Sequence, residues 1–160
     1  MSTYRLDKLM SPRSIAVAGA SPHTNSVGRH IIANIKSGGF AGPVHVVNPH
    51  YAEIEGIAPV KSIEAIPDTP DVVVVAVPPS AIPETVAEAA GKGIAAAVII
   101  TAELGHGRGS LAEVLEDPAR SAGLRLVGPN CLGVLLPRAR LPGAGSFLPP
   151  IKARDAQDAQ

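Results

Sequence analysis

The run Val72-Val73-Val74-Val75-Ala76-Val77 constrains this chain more than any other stretch. Six apolar residues, five of them valine, follow Asp71 without polar alternation and stop at Pro78-Pro79. A strand with one wet face would alternate. A continuous β-branched run belongs to a strand buried on both faces, the habit of parallel sheets covered by helices. Two further runs behave alike. Ser14–Gly19 is a short strand that breaks into small residues, and Ile94–Thr101 is a longer buried one. Val44–Val47 and Leu124–Val127 complete five expected strands.

Helical spacing fills the gaps between them. Val27, Ile31, Ile32 and Ile35 predict a helix over Val27–Lys36, stopped by Ser37-Gly38-Gly39. Ala81–Gly91 reads as a second helix with Ser80 as its cap and Pro83 in the first turn, where proline is tolerated. Ser110–Ala122 reads as a third, with a kink expected at Pro118. Tyr4–Leu9 reads as a short leading helix, Ile54–Pro59 as a loop and Ser62–Ile66 as one helical turn. Strand and helix alternating with short links predict an α/β fold, a Rossmann-like doubly wound, mostly parallel sheet with helices on both faces. Residues 1–135 form this domain. Residues 136–160 read as a Pro/Gly-rich linker and polar tail, cut short before a second domain.

Composition narrows the function. Fourteen basic residues balance 14 acidic ones, and the chain has two Tyr, two Phe and no Trp. Neither a basic surface nor a stacking platform points to nucleic acid. A lone cysteine, Cys131, cannot close an internal disulfide, and Met1–Met10 lacks the apolar run of a signal peptide. No stretch approaches the ~18 apolar residues of a membrane span. The expected location is the cytoplasm, with no membrane partner.

In a doubly wound sheet ligands sit at the carboxyl ends of the strands. Ser14–Gly28, a strand running through Gly19 into a helix start at Ser26-Val27-Gly28, is a phosphate-site pattern: glycine permits close approach, and the helix start offers unpaired N–H groups. A dinucleotide fingerprint needs glycine at its first, third and sixth positions. Here those positions hold Gly19, Ser21 and Thr24, and Asn48-Pro49-His50 stands where an acid would meet a ribose hydroxyl. An NAD(P)-binding oxidoreductase domain is therefore the alternative reading. His23, His45 and His106 show no metal spacing.

Four blocks carry a resemblance: Ser14–Ser21 with Val27-Gly28, Val46-Val47-Asn48-Pro49, Asp71–Pro79, and Gly128-Pro129-Asn130-Cys131-Leu132-Gly133. Their order and spacing resemble the coenzyme A-binding domain of the nucleoside-diphosphate-forming acyl-CoA synthetases. That family includes succinyl-CoA synthetase α subunits, ADP-forming acetyl-CoA synthetases and fusions to protein acetyltransferases.

The resemblance implies coenzyme A or acyl-CoA as ligand and the following roles. Gly19, Ala20, Ser21, Ser26, Val27 and Gly28 would cradle the pyrophosphate, so that Gly28→Asp should abolish binding in a folded domain. Asn48, Pro49 and His50 would flank the adenosine 3′-phosphate; relatives often carry lysine at the position of His50. Val77, Pro78, Pro79 and Ile82 would wall the adenine. Thr101, Ala102 and Glu103 would line the pantetheine path, with Asn130 and Cys131 towards the thiol. In the whole synthetases the reaction interconverts acid, CoA and ATP with acyl-CoA, ADP and phosphate, through phospho-histidine and ATP-grasp domains in the same or a partner chain. This chain alone is expected to catalyse nothing. A stand-alone CoA-binding regulatory protein is the remaining alternative.

Overall fold

The computed structural model describes residues 5–102, 110–129 and 131. A short helix α1 (Leu6–Met10) leads into β1 (Ile15–Ala18), α2 (Val27–Ser37) and β2 (Val44–Val47). Then come β3 (Val72–Val75), a 3₁₀ turn (Pro79–Ala81), α3 (Ile82–Gly91), β4 (Ala96–Ile99), α4 (Leu111–Ser121) and β5 (Arg125–Val127). The five strands form one sheet in the order β2-β1-β3-β4-β5, and every pairing is parallel. The doubly wound Rossmann-like class read from the sequence is the observed one.

Burial explains the strand composition. β1, β3 and β4 are buried at every position. Alternate residues serve opposite layers. Ala16, Ala18, Val73, Val75, Ala97 and Ile99 meet Ile82, Val86 and Ala89 of α3 and Leu115 and Ala119 of α4. Ile15, Val17 and Val74 meet Ile31, Ile32 and Ile35 of α2. Val72, Ala96 and Val98 pack under Leu9 of α1. Each isoleucine so buried contributes roughly 1.5–3 kcal/mol.

The elements end differently from expectation at several points. β1, β3 and β4 stop short of the runs read for them, because the chain turns away to make the loops at their carboxyl ends, and β5 begins one residue later than expected, at Arg125. Ser80 does not cap α3: Ala81 N–H donates to Pro78 O at 2.9 Å, which winds Pro79–Ala81 into a 3₁₀ turn that contains Ser80. Helix α4 continues through Pro118. Residues 62–66 make a turn, with Ala65 N–H and Ile66 N–H donating to Ser62 O and Ile63 O, rather than a helical one. The β2–β3 crossover therefore holds no helix among the described residues. Ile63 and Ile66 seal the sheet there instead.

Asp71 fastens the exit of that crossover. Its carboxylate accepts from Lys8 Nζ at 2.5 Å and Arg13 N–H at 2.8 Å, while its own N–H donates to Ser14. Burial alone would raise this carboxyl; the Lys8 and Arg13 hydrogen bonds and their charges outweigh it and hold the group below the usual carboxylate value.

Among the described residues no helix is long and apolar enough to cross a membrane.

Candidate functional site

From β1 the chain runs to β2 on one side and returns past β1 to β3 on the other, so connections diverge at the carboxyl ends of β1 and β3. This is the position at which open α/β sheets form a crevice. Gly19 sits at its floor with φ +88°, and a Cβ there would lie 2.5 Å from Ala76 O. Only glycine fits so close to the neighbouring strand. Gly19 N–H donates to Val47 O at 3.2 Å, which ties the loop to β2 as well.

The loop then folds onto the start of α2. Ser26 is its N-cap: its Oγ accepts from Arg29 N–H at 3.3 Å and from Ser21 N–H at 3.1 Å. No acidic side chain lies in the first turn to cancel the positive helix end. Val27 is 54 % exposed there. Ala20 and Gly28 have a different task. Both are buried, and a Cβ on Gly28 would approach Ala20 Cα to 2.6 Å. Gly28 lets α2 pack against the end of β1. Gly28→Asp would therefore disturb the fold before it reported on a phosphate, contrary to the expectation of a folded mutant.

Arg29 is spent on structure. Its Nε reaches Glu55 Oε1 at 2.5 Å and its Nη1 donates to Pro22 O at 2.9 Å. His23 Nε2 lies 3.2 Å from Tyr51 Oη, with the rings edge to face. These contacts tie the loop after β1 to the loop after β2.

Asn48 also holds the two loops together. Its Nδ2 donates to Ala20 O at 2.7 Å, and its Oδ1 accepts from His50 N–H at 2.8 Å. Pro49 and His50 are exposed beyond it.

A cavity of about 380 Å³ opens between these loops and α3, within the range of small-molecule sites. Of the residues expected at a site, Gly19, Asn48, Pro49, His50, Val77 and Pro78 line it. Ala20, Ser21, Ser26, Val27, Gly28, Pro79, Thr101, Ala102 and Cys131 lie off its wall. Ile82 has no exposed surface and belongs to the core; the neighbouring Ala81 lines the cavity. Thr101 Oγ1 donates to Val77 O at 2.7 Å and links the ends of β3 and β4. Cys131 is half-buried, its Sγ 3.2 Å from Ile99 O. Glu103 and Asn130 lie outside the described residues.

Sequence reasoning missed the rest of the wall. Glu84, Thr85 and Glu88 of α3 face the cavity together with Ala81, a set whose helical spacing was legible. Glu88 Oε2 accepts from Ile63 N–H at 2.8 Å. Lys61, Ser62 and Ile63 continue the wall from there. No local pattern marks them, because a long-range bridge between Val47 and Val60 brings them there.

A family described as the CoA binding domain matches residues 13–137. The ADP-forming acetate–CoA ligase I of Archaeoglobus fulgidus is 36 % identical over 154 residues, which span 94 % of this chain and 22 % of that protein. The dinucleotide-forming acetyl-coenzyme A synthetase 1 of Ca. Korarchaeum cryptofilum, solved with phosphate and ADP, matches with a TM-score of 0.79 at 35 % identity, over 90 % of this chain and 31 % of that one. A hypothetical protein from Pyrococcus horikoshii OT3 matches with a TM-score of 0.65 at 27 % identity, over 79 % of this chain and 83 % of that one. The chain thus spans under a third of the two synthetases and most of the third protein. A doubly wound sheet with its crevice at the β1/β3 divide, and a match that covers most of its length, make this chain a member of the CoA-binding domain family.

Proposed function

We propose that this chain is the coenzyme A-binding module of an ADP-forming acyl-CoA synthetase and performs no chemistry alone. The observation that carries this reading is the 380 Å³ cavity at the divide of the sheet, lined by Gly19 at the end of β1 and by Asn48-Pro49-His50. The donors suit such a ligand. A capped helix start with no acid in its first turn favours an anion such as a pyrophosphate. Val77, Pro78 and Ala81 give an apolar wall against which a base can lie.

In this reading Gly19, Ser21, Ser26 and Val27 hold the pyrophosphate, with Ala20 and Gly28 setting the helix against the strand. Pro49 and His50 lie towards the adenosine 3′-phosphate, and Asn48 positions both loops. Pro79 supports the adenine wall from the 3₁₀ turn. Thr101, Ala102, Glu103, Asn130 and Cys131 follow the pantetheine arm. Residues 1–135 are the binding domain and 136–160 a linker. Phosphate transfer and acyl selection belong to phospho-histidine and ATP-grasp domains of the same or a partner chain. The acyl-CoA and acid exchange of the whole enzyme is theirs to catalyse, in the cytoplasm.

Titration calorimetry with CoA, NAD, NADP and ATP tests the assignment. CoA is expected to bind tightest; NAD binding as tight as CoA would refute it. A second reading, a self-sufficient CoA-binding protein, draws on the Pyrococcus horikoshii protein of which this chain covers 83 %. Co-purification of the chain with a synthetase subunit from its own cells would decide for the first reading.

A further inference from the structure

We propose that Lys61 is the cation that recognises the 3′-phosphate of coenzyme A and so separates CoA from its dephospho form. The inference rests on the CoA reading above and adds a residue that no local sequence signal points to. Val60 pairs in parallel with Val47, its N–H donating to Val46 O and its carbonyl accepting from Asn48 N–H, both at 2.9 Å. The bridge acts as a short extra strand on the edge of β2. It sets Lys61 in step with Asn48, and the cavity wall includes both, with His50 beside them.

The charge of Lys61 is unspent. Its side chain is exposed and makes no hydrogen bond or ion pair among the described residues. Cations elsewhere in the fold are engaged: Lys8 with Asp71, Arg29 with Glu55, Lys36 with Glu55 O and Lys92 with Glu64 O and Ile66 O. The other titratable groups on the cavity are His50, Glu84 and Glu88. Glu88 is occupied by Ile63 N–H, and Glu84 is exposed on α3. Asn48 is neutral, and one of its two Nδ2 hydrogens and its Oδ1 already serve the loops. Histidine as a residue type is only partly cationic near neutral pH. A phosphate monoester is close to a dianion there. An ammonium on a flexible stem, fixed at its backbone and free at its tip, is the group able to meet it.

Calorimetry of wild type, Lys61→Met and Lys61→Arg with CoA and dephospho-CoA reads this directly, with thermal melts as the check on folding. Wild type is expected to prefer CoA roughly ten-fold, the scale of a charge-assisted contact. Lys61→Met should weaken CoA by a similar factor, leave dephospho-CoA within about two-fold, and reduce the salt dependence of CoA binding. Lys61→Arg should keep most of the preference. Wild-type preference should survive at about pH 8.5, where an ammonium stays charged and an ordinary imidazole does not. Equal losses for both ligands, or no loss, would overturn the role of Lys61 while leaving the CoA site standing. A preference lost at high pH in wild type would assign the phosphate to His50 instead. Wild type that binds no CoA would remove both readings.

Discussion

The two crossovers on either side of β1 solve the same problem in opposite ways. From β1 to β2 the chain passes through α2, an 11-residue helix with Ile31, Ile32 and Ile35 in the core. From β2 to β3 it passes through residues 48–71, with isolated bridges, a turn and the anchors Ile63 and Ile66. The regular crossover delivers a helix start, and with it a positive end. The irregular one leaves the sheet edge uncovered by a helix, and the cavity opens there against α3. One half offers a positive helix end, and the other gives the cavity its volume and the lining side chains Asn48, His50 and Lys61.

The largest expected effect separates the halves by their glycines. Gly19→Ala combines a positive φ with a Cβ 2.5 Å from Ala76 O, whereas Gly56, φ +74°, has nothing within 4 Å. Gly19→Ala should cost about 3 kcal/mol or more and Gly56→Ala only about 1. Urea denaturation measures both. Equal costs would mean that the β1 loop relaxes as freely as the crossover and would break the contrast.

Asp71 comes next. It joins the exit of the irregular crossover to Lys8 and to the entry of β1. Asp71→Asn should cost about 1–3 kcal/mol near neutral pH, as hydrogen bonds to a charged group are lost. The sign of the pH dependence follows from its lowered pKa. Its stabilisation is full above the unfolded-state carboxylate value and disappears as pH falls through the lower folded-state value. Wild type should lose stability below about pH 4 faster than Asp71→Asn. Parallel acid profiles would assign acid sensitivity to other carboxylates.

The smallest effect sharpens the half that carries the helix end. Ser26→Ala removes the acceptor of Arg29 N–H and Ser21 N–H and should cost about 1 kcal/mol. CoA affinity should fall with it, because the loop after Gly19 loses its tie to α2. Lost stability with unchanged affinity would put the phosphates away from this helix start.

Most of the regular half was legible. Val44–Val47 and the start of α2 at Val27 agree with the structure to the residue. The family was legible too, because the strand-end blocks keep their order. What stayed illegible lies where contacts are long-range. Ile82 reads like any residue after a Pro-Pro strand stop, yet the 3₁₀ turn Pro79–Ala81 rotates it into the core.

The sequence by itself determined the parallel sheet, through apolar runs that only two-sided burial explains, and the glycine loop before α2, through residue types that local sterics demand. Only the tertiary structure decided that Gly28 serves packing, that Asn48 spends its amide on two loops, and that Lys61 arrives at the cavity. Each depends on a neighbour beyond the reach of local propensity: Ala20 under Gly28, Ala20 O at Asn48, and Val47 beside Val60. Propensity and periodicity act within a few residues, so a position set by pairing across a crossover leaves no trace in the local sequence.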